Sequence, residues 1–274
     1  MNNDVNNKVR LIVCTHKDDY CRRDAVHQPL HVGKALSDIY RGCEGDDSGV
    51  NISDKNPIYC ELSGLYWAWK NVSNVEYFGL VHYRRYFKLI GAHFWARDVY
   101  VVTPTEFNKV VYSEASISGI LGLYDVILPK PKIFTSSVRS LWNRMHDPSD
   151  LLFLEALISQ ISPEYLPSFQ RVFSGNTASQ YNMFIMRWRE MEKYCTWLFS
   201  ILFEVEKHLD LGDGRHARIM GFLSEFLIDV YVGHHRMNIF YAPVYLLSDT
   251  ASDRGYIRYH LSRLKSEMRF RIGV

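Results

Sequence analysis

The stretch YFGLVHYRRYF at positions 77–87 begins as an almost unbroken apolar run and then carries two adjacent arginines. A short apolar run of this kind predicts a strand that is buried on both faces. The stretch KVRLIVC at positions 8–14 has the same character and leads into Thr15-His16-Lys17. Comparable runs predict two more strands, at 124–129 and 181–186.

Helices are predicted between these strands. Asn56-Pro57 is a typical helix start. The apolar residues that follow recur on one helical face as far as Trp69, which predicts one helix over 56–71. Similar periodicity predicts helices over 148–160, 190–209 and 218–232. Strands that alternate with helices predict an α/β domain with a mostly parallel central sheet flanked by helices.

The composition is that of a packed globular protein. Of 274 residues, 47% are hydrophobic and 23% are charged, and the 32 basic and 30 acidic residues nearly cancel. This balance argues against a nucleic-acid partner. We assign residues 1–248 to one main domain and residues 249–274 to a basic amphipathic C-terminal helix. Such a helix either docks on the domain or lies on an anionic membrane surface, and both alternatives stay open.

The cellular location is predicted from segments that the sequence lacks. Its apolar runs are too short for a signal peptide or a membrane-spanning helix. The five cysteines form no CxxC pair, which is typical of free thiols in a reducing compartment. We therefore expect a cytoplasmic protein, with peripheral contact at the inner face of the inner membrane if the basic helix binds lipid.

Polar side chains follow the first two strands at the end where parallel α/β sheets bind ligands. The arginine pair is the most informative feature, because guanidinium groups match phosphate oxygens in geometry. A surface ion pair is the alternative interpretation. The candidates for binding an anionic ligand are Thr15, His16, Lys17, His82, Arg84 and Arg85.

Four further polar features are candidates for chemistry. Glu225 stands in the apolar helix segment GFLSEFLI, where a carboxyl group needs a partner or a raised pKa. Asp147, in HDPSD, is a second candidate base, although an aspartate before proline also caps helices. Asn182 either hydrogen-bonds a sugar hydroxyl or forms a turn. The acidic loop at 44–47 either holds a divalent cation or is a solvated turn.

Nine strings between residues 15 and 225 resemble one bacterial family. That family was first described as a domain of unknown function in capsule, exopolysaccharide and O-antigen gene clusters, and it is now regarded as a family of galactofuranosyltransferases. The most specific strings are KNPIYCELSGLYWAWKN at 55–71 and GLVHYRRYF at 79–87. The others are THK, HVGKALSD, GDDSGVNIS, YDVILPK, HDPSD, YNMFIM and GFLSE.

The resemblance implies a GT-A-like fold and an inverting transfer of galactofuranose from UDP-galactofuranose to a hydroxyl of a growing surface glycan. The acceptor hydroxyl then needs a general base, for which Glu225 is the first choice and Asp147 the second. Many GT-A enzymes neutralise the diphosphate with a metal held by a DxD motif. No DxD follows the strand at 77–83 in this chain, which carries Arg84 and Arg85 there instead. We expect arginine charge to stabilise the departing UDP. The sequence assigns no metal ligands, which leaves a role for Mn²⁺ or Mg²⁺ open.

The partners implied by the resemblance are the UDP-sugar and a glycan acceptor, which in such gene clusters is usually lipid-linked. Two other functions fit the same sequence. One is a transferase of the same fold that uses a UDP-hexopyranose, because a change of ring size alters few contacts. The other is a non-catalytic glycan-binding or scaffold subunit, which predicts no UDP binding.

Overall fold

The computed structural model describes residues 8–92, 97–209 and 216–249. The strands are β1 Val9–Thr15, β2 His27–His31, β3 Glu44–Gly45, β4 Tyr77–His82, β5 Arg85–Phe87, β6 Val99–Val102, β7 Val126–Pro129, β8 Lys132–Ile133, β9 Thr177–Ala178, β10 Phe184–Arg187, β11 Ile239–Ala242 and β12 Val244–Leu247. The helices are α1 Asn56–Tyr59, α2 Leu62–Asn71, α3 Pro104–Phe107, α4 Glu114–Leu121, α5 Val138–Met145, α6 Pro148–Ile161, α7 Leu166–Ser174, α8 Trp188–Glu206 and α9 Ile219–His234.

The main sheet has the strand order β11-β7-β10-β4-β1-β2-β3. Along this path, only β10 runs against its neighbours. The predicted α/β class, with a mostly parallel central sheet flanked by helices, is confirmed. The carboxyl ends of β1 and β4 and the amino end of the reversed β10 therefore lie at the same edge of the sheet.

Alternate residues of the central strands enter two hydrophobic cores. Ile12 and Leu80 belong to the core that includes α2, α8 and α9, whereas Val13 and Val81 belong to the core on the opposite face with α3 and α4. Burial on both faces explains why β1 and β4 are continuous apolar runs rather than alternating ones. No helix within the described residues is both long enough and apolar enough to cross a bilayer.

A small branch of the sheet grows from the end of β4. His82 and Arg85 pair across a tight connection, so β5 folds back antiparallel to β4. β12 then pairs with β5 and β6. The branch fixes the two arginines of the YFGLVHYRRYF stretch at the turn between β4 and β5. The basic segment predicted at 249–274 lies outside the described residues apart from Asp249, so its helix and its membrane contact stay predictions.

The helix predicted over 56–71 is wrong in one respect, because it is interrupted at Cys60. The backbone of Cys60 has a φ of 52°, so α1 ends before it and α2 begins at Leu62. The Asn56 side chain donates from Nδ2 to the Cys60 carbonyl oxygen at 2.7 Å and holds this interruption. Apolar periodicity does not reveal such a break, because both pieces still face the same core.

The acidic loop at 44–47 contains one carboxylate that is buried rather than solvated. Asp46 has no exposed surface. It accepts hydrogen bonds from the backbone N–H groups of Gly33 and Lys34, both at 3.1 Å, and from the hydroxyl of Ser63 at 2.6 Å. The hydroxyl of Ser53 also donates to it. Asp46 thus ties the loop after β2 to the start of α2.

We expect Asp46→Ala to lower the free energy of unfolding by about 2–4 kcal/mol, because it leaves several buried donors without an acceptor. Urea unfolding followed by circular dichroism measures this change. Asp47→Ala is the matched control, because Asp47 is exposed, and it should stay within about 0.5 kcal/mol of the parent. Equal effects of the two substitutions would contradict a structural role for Asp46.

Candidate functional site

A cavity of about 610 Å³ opens at the sheet edge where β1, β4 and β10 meet. This is the edge at which α/β sheets generally bind ligands. Two arginines and two glutamates are among the side chains in its wall. It is lined by Cys14, His16, Val32, Asn56, Pro57, Cys60, Glu61, His82, Tyr83, Arg85, Tyr181, Arg218 and Glu225.

The structure brings four of the predicted site residues together in this cavity. They are His16, His82, Arg85 and Glu225. They come from the end of β1, the β4–β5 turn and the first half of α9. Sequence positions more than 200 residues apart therefore meet at one sheet edge. The strand-end rule accounts for His16, His82 and Arg85, whereas Glu225 comes from α9.

Thr15 and Lys17 are adjacent to the cavity but do not line it. The Thr15 hydroxyl is buried and donates to the Lys17 carbonyl oxygen at 3.0 Å, which closes the turn after β1. Lys17 itself is exposed. Thr15 therefore shapes the turn that presents His16.

The two adjacent arginines separate. The Arg85 guanidinium lies over the Tyr181 ring, 4.6 Å from its centroid, inside the large cavity. Arg84 points elsewhere: one of its terminal nitrogens is 2.9 Å from an Asp19 carboxylate oxygen, and it lines a smaller cavity. The predicted pair of phosphate contacts is therefore divided between two places.

Asp147 is placed at the N-cap of α6, the alternative that its sequence context allowed. Its carboxylate accepts from the backbone N–H of Ser149 at 2.9 Å. The rest of the HDPSD motif contacts both α9 and the segment before it. Asp150 lies 3.4 Å from Nε2 of His216, before the helix, and the His146 ring packs on Phe222 in the first turns of α9, with centroids 4.9 Å apart. The motif thus packs against the segment that contains Arg218 and stabilises it.

Asn182 is buried and holds other site elements rather than lining the cavity. Its Nδ2 donates to Glu61 Oε1 at 2.6 Å and to the Gly221 carbonyl oxygen at 2.9 Å. Its Oδ1 accepts from the Ser224 hydroxyl at 2.8 Å. Asn182 therefore fixes the orientation of Glu61 and the position of α9 at the same time.

Glu61 and Arg218 are the site residues that sequence reasoning missed. Glu61 follows the interruption at Cys60, which periodicity did not show. Arg218 has a φ of 64° and donates from Nε to Cys60 Sγ at 3.4 Å. α9 comes this close because its Gly221 lacks a side chain: a Cβ there would lie 3.1 Å from Cys60 Sγ. The adjacent Gly-Phe-Leu-Ser-Glu string was the available signal, but it did not identify Arg218.

Tyr181 connects three of the site's functional groups through its backbone N–H, its backbone carbonyl group and its ring. Its backbone N–H donates to Glu225 Oε1 at 3.2 Å, and its carbonyl oxygen accepts from His82 Nε2. Its ring lies under Arg85. Tyr181 and Asn182 have φ values of 78° and 51°, a conformation that is unfavourable for residues other than glycine. Because of this left-handed pair, the strand predicted at 181–186 starts three residues later than expected, and β10 begins at Phe184.

His82 is held in one tautomer. Because a carbonyl oxygen only accepts hydrogen bonds, the contact with Tyr181 places the proton of the neutral ring on Nε2 and the lone pair on Nδ1. Burial lowers the pKa of His82. The ring is therefore neutral near pH 7 and contributes no fixed charge to the cavity.

Glu225 is the most strongly perturbed carboxyl group of the cavity wall. Burial raises its pKa to about 7, and the negative charge of Glu61 adds to the rise. The hydrogen bond from Tyr181 and the positive charges of Arg85 and Arg218 oppose it. A carboxyl group with a pKa near 7 exchanges its proton readily at neutral pH, which suits general acid–base chemistry.

A metal ion finds no ready-made ligand set in the described residues. Within residues 8–92, 97–209 and 216–249, no three side chains of His, Cys, Asp or Glu converge as metal ligands. The positive charges of the large cavity come from Arg85 and Arg218 instead.

Comparison with known proteins places the chain in a family. Residues 10–236 match the model of a family described as a domain of unknown function, DUF4422, and the protein belongs to this family. None of the curated proteins matches the chain. Among solved structures, it is similar to the apo structure of the WbbM bifunctional glycosyltransferase, with a TM-score of 0.80 and 28% identity over 88% of this chain. The match covers 45% of that protein's chain, so this chain corresponds to less than half of it.

We expect Glu61→Gln to lower the pKa of Glu225 by about 1 pH unit, because it removes a nearby negative charge. Arg218→Gln should raise the same pKa, because it removes a positive charge that favours the carboxylate. Carbon-13 NMR titration of the glutamate carboxyl groups measures both shifts. Shifts of the same sign in the two variants would contradict this electrostatic description.

Proposed function

We propose that this protein is an inverting glycosyltransferase that moves galactofuranose from UDP-galactofuranose to a hydroxyl of a growing surface glycan. The observation that carries the proposal is the large cavity, which two arginines and two glutamates line at the carboxyl ends of β1 and β4. The similarity to a bifunctional glycosyltransferase supports the class of reaction. The galactofuranose donor rests on the resemblance of the sequence strings.

Arg85 and Arg218 are the groups that neutralise the diphosphate in this proposal. Negative charge grows on the leaving UDP as the bond to the sugar breaks, and preorganised cations stabilise it. Arginine also forms bidentate hydrogen bonds with phosphate oxygens. The stacking of Arg85 on Tyr181 and the contact of Arg218 with Cys60 hold both guanidinium groups in place before the substrate binds.

Glu225 is the general base in this proposal. It takes the proton from the acceptor hydroxyl as that oxygen attacks the anomeric carbon, and the bond to UDP breaks on the opposite face of the sugar. Its pKa of about 7 leaves a large fraction ionised at neutral pH. The transfer rate should therefore rise with pH through about 7. Asp147 is the weaker candidate, because its carboxylate caps α6.

The experiment that tests the proposal is product analysis with the purified protein, a lipid-linked glycan acceptor and a panel of donors. The panel contains UDP-galactofuranose, UDP-galactose and UDP-glucose. Transfer from UDP-galactofuranose, but not from the other two donors, would support the proposed donor. A preference for UDP-galactose or UDP-glucose would show that the donor is a pyranose instead. Absence of UDP binding in a thermal-shift assay would favour a non-catalytic role. Activity that EDTA abolishes and Mn²⁺ restores would contradict a purely arginine-based diphosphate site.

We expect Glu225→Gln to lower the transfer rate by about 100- to 10,000-fold, while UDP affinity is kept. Glutamine preserves the acceptor oxygen for the Tyr181 N–H. The same variant should be more stable than the parent above pH 7, by about 3 kcal/mol at most, and equally stable near pH 4. The neutral Glu225 carboxyl contributes stability below its unfolded-state pKa, and this contribution is lost as pH rises through about 7. Near-normal transfer by a folded variant would show that another residue is the general base.

We expect Arg85→Ala to weaken UDP binding by about 10- to 100-fold, because it removes a charged hydrogen-bond donor from the diphosphate site. Isothermal calorimetry with UDP measures the change. Arg84→Ala is the matched control, since it is the adjacent arginine but lies outside the large cavity. Comparable losses in both variants would show that the diphosphate spans the two arginines.

A further inference from the structure

A second, smaller cavity of about 90 Å³ lies beside the large one and shares one side chain with it. Tyr83 lines both cavities. The remaining wall of the small cavity includes Asp19, Tyr20, Arg84, Ser248 and Asp249. The bounds of β5 and β12 explain its position: Leu247 donates its backbone N–H to the Arg84 carbonyl oxygen at 2.9 Å, so the chain after β12 passes directly by Arg84.

From this arrangement we propose that the small cavity is the subsite for a neutral sugar of the acceptor glycan. The proposal rests on the proposed transferase function. It gives Arg84 a role in holding the acceptor rather than the donor. Two adjacent cavities with a common wall provide the arrangement that a transfer between two bound sugars requires.

The charge of the small cavity selects the class of ligand. Its wall carries one cation, Arg84, against the two carboxylates of Asp19 and Asp249. A phosphate group would meet a net negative wall, and an apolar ligand would strip water from three charged groups without compensation. A neutral polyhydroxylated ligand fits, because hydroxyl groups donate to carboxylates and accept from a guanidinium.

The aromatic part of the wall fits the same ligand. Tyr20 and Tyr83 supply ring surface on which the C–H face of a sugar ring can pack. The Arg84 guanidinium already lies over the Tyr83 ring, 5.4 Å from its centroid, and its ion pair with Asp19 is exposed enough to be reached. Arg84 and Asp19 are therefore fixed in orientation yet accessible to hydroxyl groups. Tyr83 in turn contacts the His16 ring of the large cavity, with centroids 5.5 Å apart.

The proposal is tested by saturation-transfer-difference NMR with three probes, the methyl glycosides of galactose, glucose and mannose, at millimolar concentration. We expect saturation transfer to at least one glycoside in the parent protein. Arg84→Ala and Asp19→Ala should each lower that signal by about tenfold, the effect of losing a hydrogen bond to a charged group. UDP should not displace the glycoside.

The matched control is Arg139→Ala. Arg139 forms an ion pair with Glu155 at 2.7 Å, similar in exposure to the Arg84–Asp19 pair, but it lines neither cavity. It should leave the glycoside signal unchanged. No signal in the parent, an unchanged signal in both subsite variants, or displacement by UDP would each overturn the proposal.

A separate measurement distinguishes this proposal from the proposed function. UDP binding depends on the large cavity and should be the same in the parent, Asp19→Ala and Arg84→Ala. If the parent protein does not bind UDP, the transferase function is contradicted. Normal UDP binding together with a glycoside signal that does not depend on Arg84 would overturn only the subsite.

Discussion

The left-handed backbone at Tyr181 and Asn182 is the constraint on which the site depends. The backbone N–H of Tyr181 donates to Glu225, and its carbonyl oxygen accepts from His82. The side chain of Asn182 holds Glu61 and α9. Two consecutive non-glycine residues with positive φ are costly, so the surrounding hydrogen bonds must compensate. This strained turn lies where the reversed strand β10 begins, and it joins the sheet edge to α9.

The electrostatics of the large cavity follow from this geometry. Glu61 and Glu225 line the same cavity, and the charge of Glu61 opposes ionisation of Glu225. Arg85 and Arg218 limit the effect but do not cancel it. The outcome is a carboxyl group with a pKa near 7, next to cations suited to a diphosphate. A carboxyl group and two cations thus occur in one cavity, which is the combination that the proposed transfer from a nucleotide-sugar to an alcohol requires.

Residues adjacent in sequence have separate roles because of the β4–β5 turn. The turn sends Arg85 into the large cavity and Arg84 to the small one. The sequence showed only a pair of cations after a strand, for which binding of one diphosphate was the natural prediction. Family membership and the likeness to a glycosyltransferase of known structure give the fold its context. These comparisons do not show that Arg84 and Arg85 line different cavities.

The sequence by itself determined the fold class and the sheet edge at which the candidate site lies. Apolar runs at β1 and β4 predicted buried strands, and the rule that ligands bind at strand ends selected His16, His82 and Arg85. Glu225 was found because an acid in an apolar helix is unusual. Only the tertiary structure decided the roles of Glu61, Arg218, Tyr181 and Asn182. Their positions depend on a helix interruption, positive φ values and contacts between distant segments, and local patterns carry no information about such long-range contacts.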